Sequence, residues 1–137
     1  MGFPYQSKAW YGTQSRTKLR SGSGQIPLLA LIDLTMILIY ITCKNKNEAK
    51  NIGLALVKKR LVACVNIFPI GSIYWWKGKM VKDREVALIA KTLKRNFEKI
   101  EKEVKKLHSY NVPCILEIPI KRVNSKYLNW LQKEISK

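Results

Sequence analysis

Short apolar runs rich in β-branched and aromatic residues occur at four places along the chain. Such runs are typical of strands, because branched and aromatic side chains pack well on a pleated surface. In the last run, apolar and polar side chains alternate, which predicts a strand with one buried face. The four predicted strands cover residues 37–41, 62–67 continued by 73–76, 86–93 and 114–120.

Segments with helical periodicity lie between these runs and after the last of them. Apolar residues recur twice at intervals of three and four, first after Asn45 and then in a segment that ends near His108. Asn45, with Glu48 three positions later, gives the first helix a start that resembles a capping box. Asn124 or Ser125 can cap a short C-terminal helix. The order β-α-β-β-α-β plus this last helix predicts a ferredoxin-like α+β fold, an antiparallel sheet with two helices on one face.

The second and third predicted strands form one extended hairpin over residues 61–92. Its arms meet at the polar turn of residues 77–79, and Pro69 and Gly71 interrupt the first arm. An extra residue or a kink is tolerated at such positions. Arms of this length would project beyond a small domain and present unpaired backbone edges, which invites pairing with another chain.

The chain has 137 residues, enough for one domain with a core and too few for two ordinary ones. We predict that residues 1–35 are a disordered leader or an expression-tag-like segment and that residues 36–137 form the domain. The apolar stretch 26–41 is interrupted by Pro27 and Asp33 and is shorter than the roughly 20 residues that a bilayer span needs. We therefore expect no membrane partner.

The net charge is +17, from 26 basic and 9 acidic residues. A field of this sign attracts polyanions, so an RNA-binding ferredoxin-like module is one alternative. Such modules stack bases on aromatic residues of their central strands, especially the third. Residues 85–91 contain no aromatic residue, whereas Tyr74, Trp75 and Trp76 cluster at the far end of the second strand. We therefore expect no specific nucleic-acid partner.

Cys43, Cys64 and Cys114 lie in apolar, strand-like contexts without CxxC spacing. We expect free thiols and a cytoplasmic location, because reducing compartments keep such cysteines unpaired. Thiolate and imidazole together suit copper, zinc and other soft or borderline ions, so these cysteines and His108 are candidate metal ligands. The fold, or neighbouring protomers, would have to bring them together. The alternatives are buried apolar filling for each cysteine and a favourable helix-end charge for His108.

The sequence does not favour an enzyme. His108 is the only histidine, no serine or cysteine lies in a nucleophile motif, and the isolated Gly71 and Gly78 do not form a phosphate-binding loop. Asp83 and Glu85 are two residues apart on a predicted strand, so they share a face, and we interpret them as a solvated rim.

Five segments carry a family resemblance. They are ACVNI at 63–67, SIYWWKGK at 72–79, KT at 91–92, HSYNVP at 108–113 and YLNWL at 127–131. In their order and spacing, the chain resembles the CutA divalent-cation tolerance family over residues 36–137. The resemblance implies a ferredoxin-like domain that assembles as a tight homotrimer through its long strands. It also implies a cytoplasmic role in the response to copper or other divalent metal ions, with no established catalytic reaction.

Some members of this family place metal ligands at a cysteine that closes the first strand and at paired histidines before a Pro-Tyr. Cys43 falls on the cysteine position and His108 on the second histidine. Leu107 replaces the first histidine, Ser109 replaces the usual proline, and Cys114 stands where a glutamate commonly follows Val-Pro. The implied ligand set thus departs from the family pattern at three positions.

A regulatory trimer that senses a small anion or metabolite between protomers is a further alternative, since structurally similar signalling proteins act in this way. Trp75, Lys91 and Tyr110 are the candidates for lining such a cleft. Trp76 and Trp130 are further candidates for this cleft or for the subunit interface. The competing interpretation for the aromatic residues is packing in the core or at an interface.

Overall fold

The computed structural model describes residues 34–137, which form four strands and three α-helices. The elements are β1 (Met36–Cys43), α1 (Lys46–Lys58), β2 (Cys64–Trp76), β3 (Lys79–Leu93), α2 (Phe97–Leu107), β4 (Ile115–Pro119) and α3 (Ser125–Ile135), with a 3-10 turn at Lys94–Asn96 before α2. This order confirms the predicted α+β fold. Apart from residues 34 and 35, the predicted leader lies outside the described residues.

The four strands form one antiparallel sheet in the order β2-β3-β1-β4. β1 is central: it pairs with β3 along its whole length, from Met36 opposite Leu93 to Cys43 opposite Val86. On its other side, residues 37–41 pair with β4. The first and third strands therefore occupy the middle of the sheet, as the ferredoxin-like plan requires.

Alternate residues of β1 face a core that α1 and α2 cover. Because side chains on a strand alternate between its two faces, the residues of β1 between them point to the other face of the sheet. Each fully buried aliphatic side chain stabilises the fold by about 1.5–3 kcal/mol relative to exposure. The core combines Ile37, Ile39, Ile41 and Cys43 from β1 with Ile52 and Leu56 from α1 and Ile100 and Val104 from α2.

The opposite face of the sheet is covered at one end by α3. Leu131 and Ile135 pack there against Met36 and Leu93. Asn124 caps this helix, because its side chain accepts the backbone N–H of Tyr127 at 2.9 Å. Among residues 34–137, no helix covers the remainder of this face, toward Cys43.

The helix starts follow the predicted capping chemistry. The backbone N–H of Glu48 donates to the side-chain oxygen of Asn45 at 2.9 Å, which satisfies one of the unpaired amides at the start of α1. The carboxylate of Glu48 turns back and accepts the N–H of Lys44 at 3.4 Å. Within residues 34–137, no helix has the length and apolar composition that a bilayer crossing requires.

The hairpin of β2 and β3 projects beyond the rest of the sheet. In the described part of the chain, β1 pairs only with residues 86–93 of β3, so residues 79–85 pair with β2 alone. The register continues without an extra residue through Pro69, which is tolerated because β2 is an edge strand. At the tip, Lys77 and Gly78 have φ angles of 49° and 76°, the positive values that a tight two-residue hairpin turn needs.

Candidate metal centre and the adjoining cleft

Three potential metal ligands meet at the end of β1. The sulfur of Cys43, a carboxylate oxygen of Glu48 and a ring nitrogen of His108 all lie within 4.8 Å of one another. Cys43 closes β1, Glu48 lies in the first turn of α1, and His108 directly follows α2. The packing of both helices on the Cys43 face of the sheet brings the three side chains to one place.

The Cys43 thiol is fully buried, because it takes the last core-facing position of β1. Burial raises the pKa of this thiol to about 12, and the negative charges of Glu48 and Glu85 add to the effect. At neutral pH the thiol is therefore protonated. Since only the thiolate coordinates a metal, binding of an ion would release this proton.

The His108 ring is fully buried, and both of its nitrogens have partners. The backbone N–H of Tyr110 donates to Nδ1 at 3.0 Å, so the ring proton lies on Nε2, which donates to the carbonyl oxygen of Thr42 at 2.7 Å. Nδ1 also lies 3.5 Å from a carboxylate oxygen of Glu48. A backbone carbonyl that holds one ring nitrogen while the other faces a ligand cluster is typical of metal-binding histidines.

The donor set fits a soft or borderline ion. Sulfur, imidazole and one carboxylate suit zinc or copper, whereas magnesium and calcium prefer oxygen ligands. An ion that used Nδ1 of His108 would have to displace the N–H of Tyr110, because both need the same lone pair. Three protein ligands would leave a further coordination position open.

Sequence reasoning did not identify Glu48 as a ligand. Its position three residues after Asn45 indicated only a role in helix capping. The available signal was its place in the first turn of α1, directly after the strand that Cys43 closes. A side chain at that position reaches back toward the end of the strand.

Of the four predicted metal ligands, the structure brings only Cys43 and His108 together. Cys64 pairs with Lys91, five residues along β3 from the partner of Cys43, which corresponds to about 17 Å. Cys114 lines a neighbouring cleft. All three cysteines are unpaired thiols, as expected.

A cleft of about 680 Å³ adjoins the metal centre. One wall is the projecting hairpin and the other is the segment between α2 and β4. The register places most cleft residues of the hairpin on one face, because Ser72 pairs with Asp83 and residues two apart share a face; Ile73, which also lines the cleft, lies on the other face. The lining includes Ser72, Tyr74, Trp76, Asp83, Glu85 and Tyr110.

Two tyrosine hydroxyls contact carboxylates in this cleft. Tyr110 Oη donates to Glu85 Oε2 at 2.9 Å, and Tyr74 Oη donates to Asp83 Oδ2 at 3.4 Å. Burial, followed by the hydrogen bond to Glu85, raises the pKa of Tyr110 well above its usual range. Tyr110 thus contacts His108 through its backbone and the cleft through its side chain.

The residues predicted to line a cleft or an interface do not form a single site. Trp76 and Tyr110 line the cleft, whereas Trp75 points to the opposite face of the hairpin and is 74% exposed. Lys91 lies at the other end of the sheet, where its ammonium is 5.6 Å from the ring centroid of Tyr127. Trp130 packs against the same ring in a tilted arrangement, with centroids 5.4 Å apart and an interplanar angle of 49°.

These features define a ferredoxin-like α+β domain with an overlong hairpin and a candidate metal centre. The model of the CutA1 divalent ion tolerance protein family matches residues 37–134. The chain therefore belongs to the CutA1 divalent ion tolerance family.

Relatives and solved structures agree with this membership. The divalent-cation tolerance protein CutA of Archaeoglobus fulgidus is 45% identical over 97 residues, which cover 71% of this chain and 95% of the relative. The same protein of Thermotoga maritima is 43% identical over 100 residues, 73% of this chain and 99% of the relative. The structure of the Archaeoglobus fulgidus protein superposes with a TM-score of 0.72 at 44% identity, over 73% of this chain and 98% of that one.

The prediction of a cytoplasmic location is wrong. The structure from Archaeoglobus fulgidus is described as that of a periplasmic protein, and a relative from rice, 42% identical over 97 residues, is named as chloroplastic. Members of this family thus occur in different compartments. Unpaired cysteines and membership in the family do not assign a protein to the cytoplasm.

Proposed function

We propose that the protein binds a divalent or soft metal ion, with copper and zinc as the best-suited ions, through Cys43, Glu48 and His108. The observation that carries this proposal is the convergence of three donor atoms from three separate elements within 4.8 Å. Relatives named as divalent-cation tolerance proteins support it. The role is one of binding, in the response to metal ions, and not of catalysis.

Each ligand would contribute differently. Cys43 would supply a thiolate, which selects soft ions; His108 would supply Nδ1; and Glu48 would add a negative charge that offsets the charge of the ion. The carbonyl of Thr42, which accepts the Nε2 proton at 2.7 Å, would hold the ring in the orientation needed for binding.

We propose further that the protein is a homotrimer held together by its projecting hairpins. One face of the hairpin lies beyond the reach of the helices and exposes Ile73 (70%), Trp75 (74%) and Met80 (60%). Contiguous apolar surface of this kind marks an interaction site. The unpaired edge of residues 79–85 offers backbone groups to a neighbouring chain.

Calorimetric titration of the full chain with zinc, and with copper(I) in competition with a chelator, tests the metal proposal. We expect saturable binding that the double change Cys43→Ser, His108→Ala abolishes and that Glu48→Gln weakens. Cys64→Ser is the matched control, because it removes a thiol outside the cluster. Unchanged binding in the double variant, or an equal loss in Cys64→Ser, would overturn the assignment.

A further inference from the structure

Two Lys-Arg pairs emerge from the same end of the sheet. Lys94 and Arg95 directly follow β3, and Lys121 and Arg122 follow β4 after one intervening residue. All four residues are exposed. Together they form what we call the basic patch.

The strand register brings the two pairs side by side. Leu93 at the end of β3 pairs with Met36, and Pro119 at the end of β4 pairs with Ile37. The two strands therefore end on either side of the start of β1. Because neighbouring strands lie about 4.7–4.9 Å apart, the two strand ends are about 10 Å apart.

Each Lys-Arg pair lies between two residues that are anchored in the domain. Leu93 is fully buried, and Asn96 donates to the carbonyl of Leu61 at 3.0 Å. Ile120 and Val123 pack against the apolar cluster beneath α3. Since the flanking residues are held by the domain, the four basic residues between them are kept at the surface.

The basic patch is not neutralised by carboxylates of the described chain. None of its four residues forms an ion pair within residues 34–137. Glu98 and Glu117, the acidic residues nearest to it along the chain, do not pair with it, whereas a cation elsewhere, Lys59, binds Glu103 at 2.6 Å. Like charges in one place repel one another, and an anionic partner relieves this repulsion.

The basic patch lies outside the subunit interface that we propose. Lys79 at the hairpin turn and Leu93 are the two ends of β3, a strand of 15 residues, which spans about 45–50 Å. The apolar residues assigned to the interface lie near the hairpin turn, at the other end of this strand. The exposure of the basic patch therefore does not depend on the hairpins being free.

Duplex nucleic acid is the polyanion that fits this surface. A duplex carries one negative charge per about 1.7 Å of its axis, so a span of about 10 Å presents several phosphates to both pairs at once. Single strands are held by stacking on aromatic residues. Within residues 34–137 the exposed aromatic residues all lie on β2. A bilayer surface draws on apolar insertion as well as charge, and the basic patch contains only lysine and arginine.

We propose that the basic patch binds the phosphate backbone of duplex nucleic acid without regard to sequence. Arg95 and Arg122 donate bidentate hydrogen bonds to phosphate oxygens, and Lys94 and Lys121 add point charges. This contact uses one end of the sheet, unlike the RNA-binding module considered from the sequence, which would use its face. It rests neither on the metal centre nor on the trimer.

Fluorescence anisotropy of a labelled DNA duplex of about 20 base pairs, titrated with the full chain at about 50–200 mM salt, tests the proposal. Each phosphate contact adds about 0.9 to the slope of log affinity against log salt. Neutralising all four residues should therefore make the slope shallower by about 3–4 and weaken binding at about 100 mM salt by about a hundredfold. This variant is Lys94→Gln, Arg95→Gln, Lys121→Gln, Arg122→Gln.

A matched control removes the same number of charges from exposed positions on α1 and α2. It should keep most of the affinity and nearly the whole slope. The control is Lys46→Gln, Lys50→Gln, Lys102→Gln, Lys105→Gln. An equal loss in this variant would mean that net charge alone attracts the duplex, which overturns the proposal.

Three further results would overturn the proposal. They are the absence of saturable binding by the wild type at about 50 mM salt, affinities that differ by more than about tenfold between two duplexes of unrelated sequence, and tighter binding to vesicles with about 30% phosphatidylserine than to the duplex. The double variants Lys94→Gln, Arg95→Gln and Lys121→Gln, Arg122→Gln should each reduce the slope by about 2. They keep the test decisive if the quadruple variant fails to fold.

Discussion

Trp75→Ala should dissociate the proposed trimer without unfolding the protomer. Trp75 lies opposite Met80 on β3, on the part of the hairpin that projects beyond the helices, and 74% of its surface is exposed. It makes little contribution to the core of its own chain. Its contribution to stability therefore depends on a neighbouring chain that covers it.

The expected size follows from the exposed area. A tryptophan side chain can bury up to about 250 Å², and about three quarters of that area is about 190 Å². At about 25 cal/mol for each Å², complete coverage would stabilise the assembly by about 4–5 kcal/mol per protomer. Partial coverage reduces this to about 2–4 kcal/mol. Three protomers lose it together, so the trimer should be destabilised by about 6–12 kcal/mol.

Sedimentation velocity over a dilution series measures this effect. Each 1.4 kcal/mol changes an equilibrium constant by about tenfold, so the variant should dissociate at concentrations where the wild type keeps the trimer mass. Leu54→Ala on α1 is the matched control, since Leu54 is 56% exposed but lies outside the hairpin. A Trp75→Ala trimer that dissociates like the wild type refutes the interface. A monomeric wild type refutes the trimer itself.

Three further predictions concern stability. Burial raises the pKa of the Cys43 thiol from 9.0 to about 12, so the thiol of the unfolded chain loses its proton at lower pH than that of the folded chain. The free energy of unfolding should therefore fall by up to about 4 kcal/mol as the pH rises from 9 to 12. Urea titrations measure this decline, and Cys43→Ser should remove it. Asn96 donates to the Leu61 carbonyl at 3.0 Å, so Asn96→Ala should lower the free energy of unfolding by about 1–2 kcal/mol by the same assay. Gly78 has a φ of +76°, so Gly78→Ala should cost about 1–2 kcal/mol in thermal unfolding, whereas Gly71→Ala should cost nothing.

The elements of the fold were predictable because their signals are local. Runs of β-branched and aromatic residues indicated the strands, and Asn45 and Asn124 act as the helix caps that the sequence predicted. The length of the hairpin was also predictable, because its two arms contain more residues than the other strands of a small sheet can pair with. The extra residue that the sequence would tolerate near Pro69 does not occur, because a proline on an edge strand interrupts no ladder.

The candidate site was less predictable, because its members come from separate elements. Glu48 meets Cys43 and His108 only once both helices have packed on β1. The interpretation of Asp83 and Glu85 as a solvated rim is wrong for Glu85, which is 8% exposed. Tyr110 contributes to this burial, because its hydroxyl reaches the carboxylate and donates to it. No local pattern indicates that a residue after α2 will reach β3.

Tyr110 makes the metal centre and the cleft depend on each other. Its backbone N–H occupies Nδ1 of His108 at 3.0 Å, while its hydroxyl holds Glu85 at 2.9 Å. An ion that took Nδ1 would have to displace this N–H, and we expect the resulting backbone shift to move the hydroxyl away from Glu85.

Metal binding should therefore cost the hydrogen bond between Tyr110 and Glu85. Tyr110→Phe removes the hydroxyl, keeps the N–H and should bind zinc about tenfold more tightly than the wild type, because a hydrogen bond to a charged group contributes about 1.5–3 kcal/mol. Calorimetric titration of both proteins with zinc tests this linkage. Equal zinc affinities would mean that the backbone of Tyr110 yields to the ion without moving its side chain.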